Sequence, residues 1–171
     1  GIIGILNRFK EERKLEPGDW IIGTGYDHNN LKEGRHPDRF ILDAAFSENP
    51  VMVTHASGHM GVANSLALEK MGITADTKDP SGGRIGRAGG KNTGEPDGYL
   101  EETAFTGASS VIPEPGTEQL GRQLQAAEQL YLKHGITTIQ DGRTGKEEWK
   151  LLKYAAEQGL LHADVVAYAA L

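Results

Sequence analysis

The sequence predicts a mixed α/β fold, and three stretches of the chain carry that prediction. The runs "WIIGTGYD" and "NPVMVTHA" are short, apolar and bounded by glycine or proline, which is typical of buried strands. From "ITTIQ" to "DVVAYAAL", a β-branched strand, a helical pattern and a second strand follow one another with short loops. A βαβ unit of this kind brings its two strands together in parallel.

The first half of the chain interleaves helical patterns with its strands. Residues 2–13 and the run "HPDRFILDAAF", with Pro37 near its first turn, predict amphipathic helices. Residues 61–71 also carry apolar residues at helical spacing, and Gly72 supplies a helix end. The glycine-rich residues 78–98 suit an exposed β-ribbon. A phosphate-binding loop is the alternative, but no GxGxxG or Walker spacing is present.

The last third of the chain has the most regular helical patterns. One predicted helix begins at an N-cap, Thr117, and ends at Gly135. A second begins at Thr144 and Glu147, which have the spacing of a capping box, and ends at Gly159. Because parallel strands need neighbours on their edges, the strands that flank this second helix predict unpaired sheet edges.

Composition excludes several classes of function. The 171 residues suit one domain of ordinary size, and the net charge of −6 with interspersed signs argues against nucleic acid as a partner. No apolar run approaches the roughly 20 residues of a membrane span, and the charges near the N-terminus follow the apolar part, the reverse of a secretory signal. Zero cysteines exclude disulfides and thiolate chemistry. We therefore expect a cytoplasmic protein without a membrane partner, in which any metal is held by His, Asp, Glu or a modified Lys.

Two histidines, His55 and His59, are spaced like the metal ligands of a helical zinc site. Gly58 and the β-rich residues before it indicate instead that His55 ends a strand and His59 begins a turn. The pair is therefore interpreted as packing or hydrogen-bonding histidines rather than as metal ligands.

Four carboxylates are candidates because of their position. Asp27 and Asp141 each follow a predicted strand, and ligand groups collect at the carboxyl ends of strands in α/β proteins. For Asp141, a simple Asp-Gly turn is an equal alternative. Glu101 and Glu102 lie in "GYLEETAF", where strand alternation would expose one and bury the other. A buried carboxylate would need a metal, a charge partner or several hydrogen-bond donors.

At these residues the sequence resembles a known family. The succession "WIIGTGYD", "LDAAFSENPVMVTHASGHMGVANSLALEKMGI", "GEPDGYLEETA" and "HGITTIQD" is similar, in order and spacing, to the middle portion of amidohydrolase family 3. That family belongs to the metal-dependent amidohydrolase superfamily, whose members hydrolyse N-acyl, N-formyl and related amide bonds. The resemblance covers nearly the whole chain, and residues 58–65 and 94–102 are its most specific parts.

The resemblance implies a TIM-type (β/α)8 barrel with metal at the carboxyl ends of its strands. The family's ligands are an HxH pair, an acidic or carboxylated-lysine bridge, two later histidines and an aspartate. This chain has no HxH and stops before the later ligands, so it resembles an incomplete segment of the barrel. Residues 1–115 would be an inserted α+β subdomain that borders the active-site cleft, and residues 116–171 a truncated βαβ part of the barrel.

The resemblance also assigns roles to individual residues. Glu102 matches the acidic residue of a "GxLxE" motif and would be the metal-bridging carboxylate, whereas His59 and Asn64 would border the substrate cleft. Asp27 and Asp141 are expected in the same cleft because they follow strands. Ser57 stands where many relatives have an aspartate, so a charge-dependent role at that position is in doubt.

Two functions are compatible with these observations. The parent protein would be a metal-dependent amidohydrolase, with zinc as the expected metal and a small amide as substrate. The chain itself would be inactive and would bind metal poorly, since Glu102 is the one ligand assigned to it. The alternative is a non-catalytic α/β module with a binding or structural role, for example sugar or peptide binding by the glycine-rich ribbon. Unpaired strand edges also predict self-association.

Overall fold

A computed structural model of the chain describes residues 1–89 and 94–170. Its residues form two compact units, 1–113 and 114–171. No helix in the part of the chain that the structure describes is long and apolar enough to span a membrane. Each unit has its own sheet, and the two units differ in how much of that sheet is covered.

The first unit interleaves helices with a five-stranded sheet. A short 3-10 helix, His28–Asn30, follows its first strand. The helices are α1 (Ile2–Arg13), α2 (Arg39–Ala45), α3 (Ser65–Lys70) and α4 (Thr103–Ser109), and the strands are β1 (Ile21–Tyr26), β2 (Val51–His55), β3 (Met60–Ala63), β4 (Gly83–Arg87) and β5 (Pro96–Glu102).

The strand order of this sheet is β1-β2-β3-β5-β4. The first two strands are parallel, β3 is antiparallel to both β2 and β5, and β4 is antiparallel to β5. Strands β1, β2 and β5 therefore run in one direction and end on the same side of the sheet, at Tyr26, His55 and Glu102. We call this side the carboxyl end of the sheet.

Alternation along β2 divides the core of the first unit into two layers. Val51 and Val53 pack on one face of the sheet with Leu6, Leu42 and other buried residues from α1 and α2. Met52 points to the other face and joins the buried residues of α3 and α4, which include Leu68 and Phe105. Helices therefore cover both faces, and this three-layer packing fixes the register of the strands at the carboxyl end.

The second unit is a single βαβ unit preceded by one long helix. It consists of α5 (Thr117–Lys133), β6 (Thr138–Thr144), α6 (Lys146–Glu157) and β7 (Asp164–Ala169). Strands β6 and β7 pair in parallel, as the strand-helix-strand pattern predicts. Helix α5 ends before Gly135 and α6 before Gly159, both at positive φ, which confirms the predicted ends.

Several local predictions are wrong. The predicted helix over residues 61–71 is a strand in its first part, because Val62 and Ala63 pair with β2 and the helix begins only after its N-cap, Asn64. Thr117 is the first helical residue, after the N-cap Gly116, and makes no capping bond. Thr144 belongs to β6 and does not form a capping box, since its hydroxyl donates to Asp141 instead.

The predicted pairing of the glycine-rich ribbon is confirmed where the structure describes it, but its predicted exposure is wrong at Ile85, Gly86, Pro96 and Gly98, which are buried. Strands β4 and β5 are antiparallel, and Ile85 lies opposite Leu100. Residues 90–93 of the predicted ribbon and Leu171 of the last predicted strand lie outside the described residues. In β5 the expected burial of one glutamate is wrong, because Glu101 is half-buried and Glu102 exposed.

Candidate functional site

The carboxyl end of the five-stranded sheet collects most of the ionisable side chains that the sequence singles out. Asp27 follows β1, His55 is the last residue of β2, His59 precedes β3 and Glu102 is the last residue of β5. The connection between β2 and β3 is short because Gly58 adopts a positive φ of 74° in the turn. Strand pairing thus brings together residues that are far apart in the sequence.

A cluster of aromatic rings forms one half of this site. His28, His36 and His55 surround one another, with ring centroids 4.1 Å apart for His28 and His36 and 5.3 Å for His28 and His55. The hydroxyl of Tyr26 contacts His36 Nδ1 at 2.8 Å, and the ring of Tyr99 lies 4.8 Å from that of His36. We call His28, His36 and His55 the histidine cluster.

Asp27 supplies the negative charge beside the histidine cluster. Its Oδ1 lies 3.8 Å from His28 Nδ1 and 3.7 Å from His55 Nε2, and these two nitrogens are 3.2 Å apart. The same carboxylate caps the 3-10 helix by accepting the backbone N–H of Asn29 at 2.9 Å. Asp27, His28 and His55 are the one group of three metal-ligand side chains that the described residues bring together.

The electrostatics of the cluster follow from this packing. Burial, followed by the nearby His28 and His55, lowers the pKa of His36 below its ordinary value. The backbone hydrogen bond from Asn29 is the main cause that lowers the pKa of Asp27. At neutral pH the site therefore combines an ionised carboxylate with a neutral His36.

His59 and Glu102 form the other half of the site. His59 Nδ1 lies 3.1 Å from Glu102 Oε2, and both side chains are more than half exposed. Glu102 has a φ of 52°, which is uncommon for a residue with a side chain and costs on the order of 1–3 kcal/mol. Strain of this kind concentrates at functional sites, so the backbone at the end of β5 supports a functional role for Glu102.

A cavity of about 390 Å³ lies beside the histidine cluster. Its wall includes His36 and Asp38 together with the apolar side chains of Ile2, Leu31 and Ile41. A concave, largely apolar space with a few polar groups is the usual shape of a small-molecule site.

Asn64 has a structural role instead of the cleft position expected for it. It is fully buried, and its Oδ1 accepts the backbone N–H groups of Val51 and Ala67 at 2.8 and 3.0 Å. Its Nδ2 donates to the carbonyls of Phe46 and Asn49 at 3.2 and 2.9 Å. An amide that is fully buried and bonded in this way ties α2, β2 and α3 together and presents nothing to a cleft.

Asp141 lies within β6 and not after it. Its carboxylate accepts the Thr144 hydroxyl at 2.7 Å and the backbone N–H of Arg143 at 3.3 Å. These bonds satisfy a bulge in the pairing of β6 with β7, which fits the turn alternative for Asp141. Its place in a substrate cleft stays a prediction.

Sequence reasoning missed His28 and His36. Both follow β1 within the run "YDHNNLKEGRHP", and only the parallel pairing of β1 with β2 shows that this run faces His55. The available signal was the rule that ligand groups collect at the carboxyl ends of strands. Sequence reasoning applies this rule to Asp27 but not to His55. The hydrogen-bonding interpretation of His55 is confirmed, because its Nε2 lies 3.2 Å from His28 Nδ1, but the sequence does not identify His28 as the partner.

Comparison with known proteins adds an independent line of evidence. A model of the amidohydrolase family matches residues 2–171. The chain is 34% identical to the protein LONG AFTER FAR-RED 3 of Arabidopsis thaliana over 81% of its length, and 32% identical to an N-substituted formamide deformylase of Arthrobacter pascens over 86%. It covers 24% and 27% of these two proteins, so it spans about a quarter of their length.

A solved structure confirms the similarity of the fold. An uncharacterized metal-dependent hydrolase from Pyrococcus horikoshii superposes with a TM-score of 0.61 and 24% identity, over 96% of this chain and 30% of that one. The family model covers all but the first residue of the chain. The chain therefore belongs to the amidohydrolase family.

Proposed function

We propose that this chain is a segment of a metal-dependent hydrolase that cleaves amide-type carbon–nitrogen bonds. The observation that carries the proposal is the carboxyl end of the five-stranded sheet, where a chain of the amidohydrolase family gathers histidines and carboxylates. The formamide deformylase and the metal-dependent hydrolase among its similar proteins support the same class of reaction. In the complete protein, β6, α6 and β7 would form part of a (β/α)8 barrel.

The side chains at the carboxyl end fit a divalent metal, with zinc as the proposed ion. Imidazole nitrogen and carboxylate oxygen are ordinary zinc ligands, and the site offers both. Glu102 would hold the metal in the complete enzyme, while His59 orients its Oε2 from 3.1 Å. When bound, such a metal lowers the pKa of a bound water and polarises the amide carbonyl.

The chain's own residues would prepare the substrate. The apolar wall beside the histidine cluster excludes water from a bound acyl group, and His36, neutral because burial lowers its pKa, accepts or donates one hydrogen bond there. Asp27 places a negative charge 3.8 Å from His28 Nδ1. The substrate is proposed to be a small amide, and the cellular location to be the cytoplasm, as the absence of cysteine suggests.

The complete enzyme tests this proposal through two adjacent glutamates. Glu102→Gln should lower turnover by about a hundredfold or more and should lower the metal content, because a charged ligand is lost. Glu101→Gln is the matched control and should be nearly silent, as its side chain is assigned no ligand role. If Glu102→Gln kept both metal and turnover, Glu102 would have to be withdrawn from the metal site.

The second candidate, a non-catalytic module, concerns the isolated chain. The sequence of this chain contains no HxH pair, which the family uses to bind metal. We therefore propose that the 171-residue chain alone hydrolyses no amide. Release of formate from N-substituted formamides, measured with and without added zinc, checks this, and zinc-dependent turnover by the wild-type chain that Glu102→Gln abolishes would contradict it.

A further inference from the structure

Three ligand-type atoms face one another at the carboxyl end of the first sheet. The distances are 3.2 Å from His28 Nδ1 to His55 Nε2, and 3.8 and 3.7 Å from Asp27 Oδ1 to these two nitrogens. Ligands of a tetrahedral zinc ion, each about 2.0–2.1 Å from the metal, lie about 3.4 Å from one another. We propose that Asp27, His28 and His55 form a binding site for a zinc-type divalent cation. It goes beyond the proposed function, which assigns Glu102 and not these residues to the metal, and it replaces the expectation that the chain alone binds metal poorly.

The donor set selects the class of cation. Two imidazole nitrogens and one carboxylate oxygen suit zinc and its neighbours in the first transition row. Calcium requires six to eight oxygen ligands, and magnesium keeps most of its waters and prefers carboxylates. The site therefore favours Zn²⁺, Co²⁺ and Ni²⁺ over Mg²⁺ and Ca²⁺.

The fold holds the three ligands in place before a cation arrives. Asp27 is fixed by its bonds to Asn29, from both the backbone N–H at 2.9 Å and the side-chain amide at 3.0 Å. His28 is stacked on His36 at 4.1 Å, and the ring of His55 lies edge-on to Tyr26 at 5.2 Å. Little side-chain entropy remains to be lost when a cation binds, so the geometry favours binding.

Exposure leaves room for a further ligand. The side chains of Asp27 and His28 are 33% and 29% exposed, and that of His55 is 11% exposed. Three protein ligands beside solvent leave a fourth position for water. The cation is therefore expected to exchange with solvent and with chelators.

Ser57 controls which nitrogen of His55 is free to bind. Its backbone N–H donates to His55 Nδ1 at 3.1 Å, which places the proton of neutral His55 on Nε2, where it is directed at His28 Nδ1. The Ser57 hydroxyl also lies 2.9 Å from His55 Nδ1. When a cation takes Nε2, the proton moves to Nδ1, which then donates to this hydroxyl and no longer accepts the Ser57 backbone N–H. The hydroxyl is the acceptor that the cation-bound tautomer needs, so Ser57 is a positioning residue.

Isothermal titration of the 171-residue chain with Zn²⁺ tests the site. The expected result is one site, weakened about tenfold or more by His28→Gln, His55→Gln or Asp27→Asn, since each removes one of three ligands. Asp27→Asn keeps a side-chain oxygen that can cap the 3-10 helix, so this variant is expected to fold. Circular dichroism checks that it does. Mg²⁺ and Ca²⁺ should give no comparable binding.

Matched controls separate this site from other histidines and from the proposed function. His134→Gln changes an exposed histidine of the second unit and should bind Zn²⁺ within about twofold of the wild type. Glu102→Gln removes the carboxylate that the proposed function assigns to a metal, so loss of binding in that variant with full binding in Asp27→Asn would place the Zn²⁺ at Glu102 and not at the histidine cluster. No uptake by the wild type, or uptake lost only in a control variant, would overturn the proposal and leave a plain His28–His55 hydrogen bond.

The role assigned to Ser57 has its own readout. Ser57→Ala should weaken Zn²⁺ binding about tenfold, as expected for loss of an outer-shell partner, and Ser57→Thr should restore it. Long-range ¹⁵N spectra of the imidazole rings should show the His55 proton on Nε2 without Zn²⁺ and on Nδ1 with it. An unchanged tautomer on saturation with Zn²⁺ would contradict binding through His55 Nε2.

Discussion

The two units of this chain bury their side chains to very different degrees. In the first unit, helices cover both faces of the sheet and most strand residues that point inward are fully buried. In the second unit, Ala155 is the one buried hydrophobic residue among those described, while Leu130, Trp149 and Tyr168 are each at least half exposed. Both units follow the same rules of alternation, so the difference lies in how many packing partners each sheet has.

This difference indicates which unit is suited to hold a functional site. Ligands must be held rigidly, and only packed neighbours hold a side chain in one rotamer. The histidine cluster and the His59–Glu102 pair both stand on the covered sheet of the first unit. In the second unit, the hydrogen bonds of Asp141 and Glu128 hold parts of that unit together.

The largest expected effect is on the core of the first unit. Leu42 is fully buried, so Leu42→Ala should lower the free energy of unfolding by about 3 kcal/mol through lost burial and a residual cavity. Leu130→Ala is the matched change in the second unit, where the side chain is 60% exposed, and should cost less than about 0.5 kcal/mol. Urea unfolding of both variants measures this, and equal costs would contradict the contrast.

A smaller effect is expected at Glu128, the buried carboxylate of the second unit. It is 2% exposed and accepts the backbone N–H groups of His162 and Ala163, the latter at 2.7 Å. Burial raises its pKa, but these bonds outweigh burial and the net pKa is lowered. Glu128→Gln should therefore destabilise the second unit by about 2 kcal/mol at neutral pH, since hydrogen bonds to a charge are lost.

Glu128 also makes the stability of the second unit depend on pH. Because its pKa is lower in the folded state, Glu128 stabilises the fold above the unfolded pKa near 4.5, and this contribution is lost as the pH falls through the folded pKa. Trp149 fluorescence in a Trp20→Phe background reports on the second unit alone. The wild type should lose stability below about pH 4.5 more steeply than Glu128→Gln, and parallel pH profiles would contradict the role of Glu128.

The smallest expected effect is self-association through the sheet of the second unit, which we propose from its exposed apolar side chains. Val166 and Tyr168 point to the same face of β7 and are 45% and 52% exposed. Sedimentation velocity should show a weight-average mass that rises with loading, and Val166→Lys should reduce that rise. Ile5→Lys, at a similarly exposed position of the first unit, should not. A mass independent of concentration would contradict the proposal.

Local patterns predict much of the fold, but not the parts that depend on distant pairing. Apolar runs and glycine ends predict β1, β2, α1 and the parallel pair β6–β7. Val62 and Ala63 lie in a run whose spacing predicts a helix, yet both pair with β2, and Val62 also pairs with β5. Pairing with a strand that is far away in the sequence leaves no pattern in the neighbouring residues.

The site is predictable only in part for the same reason. Asp27 can be selected because it follows a strand, and Glu102 because it matches a motif of the family. His28 and His36 cannot, since their importance depends on the parallel register that places Tyr26 opposite His55. Asn64 was selected from a motif, but the bonds that occupy its amide come from α2, β2 and α3 and are visible only in the fold.

Paramagnetic mapping with Co²⁺ tests most directly the claim that the first unit carries the metal chemistry. Added in substoichiometric amount to the ¹⁵N-labelled chain, Co²⁺ should shift or broaden amide signals around Asp27, His28 and His55 before those around His134 and His162. Asp27→Asn should weaken the effect, whereas His134→Gln should not. Signals that change first around His134 or His162, with those of β1 and β2 unaffected, would contradict the account.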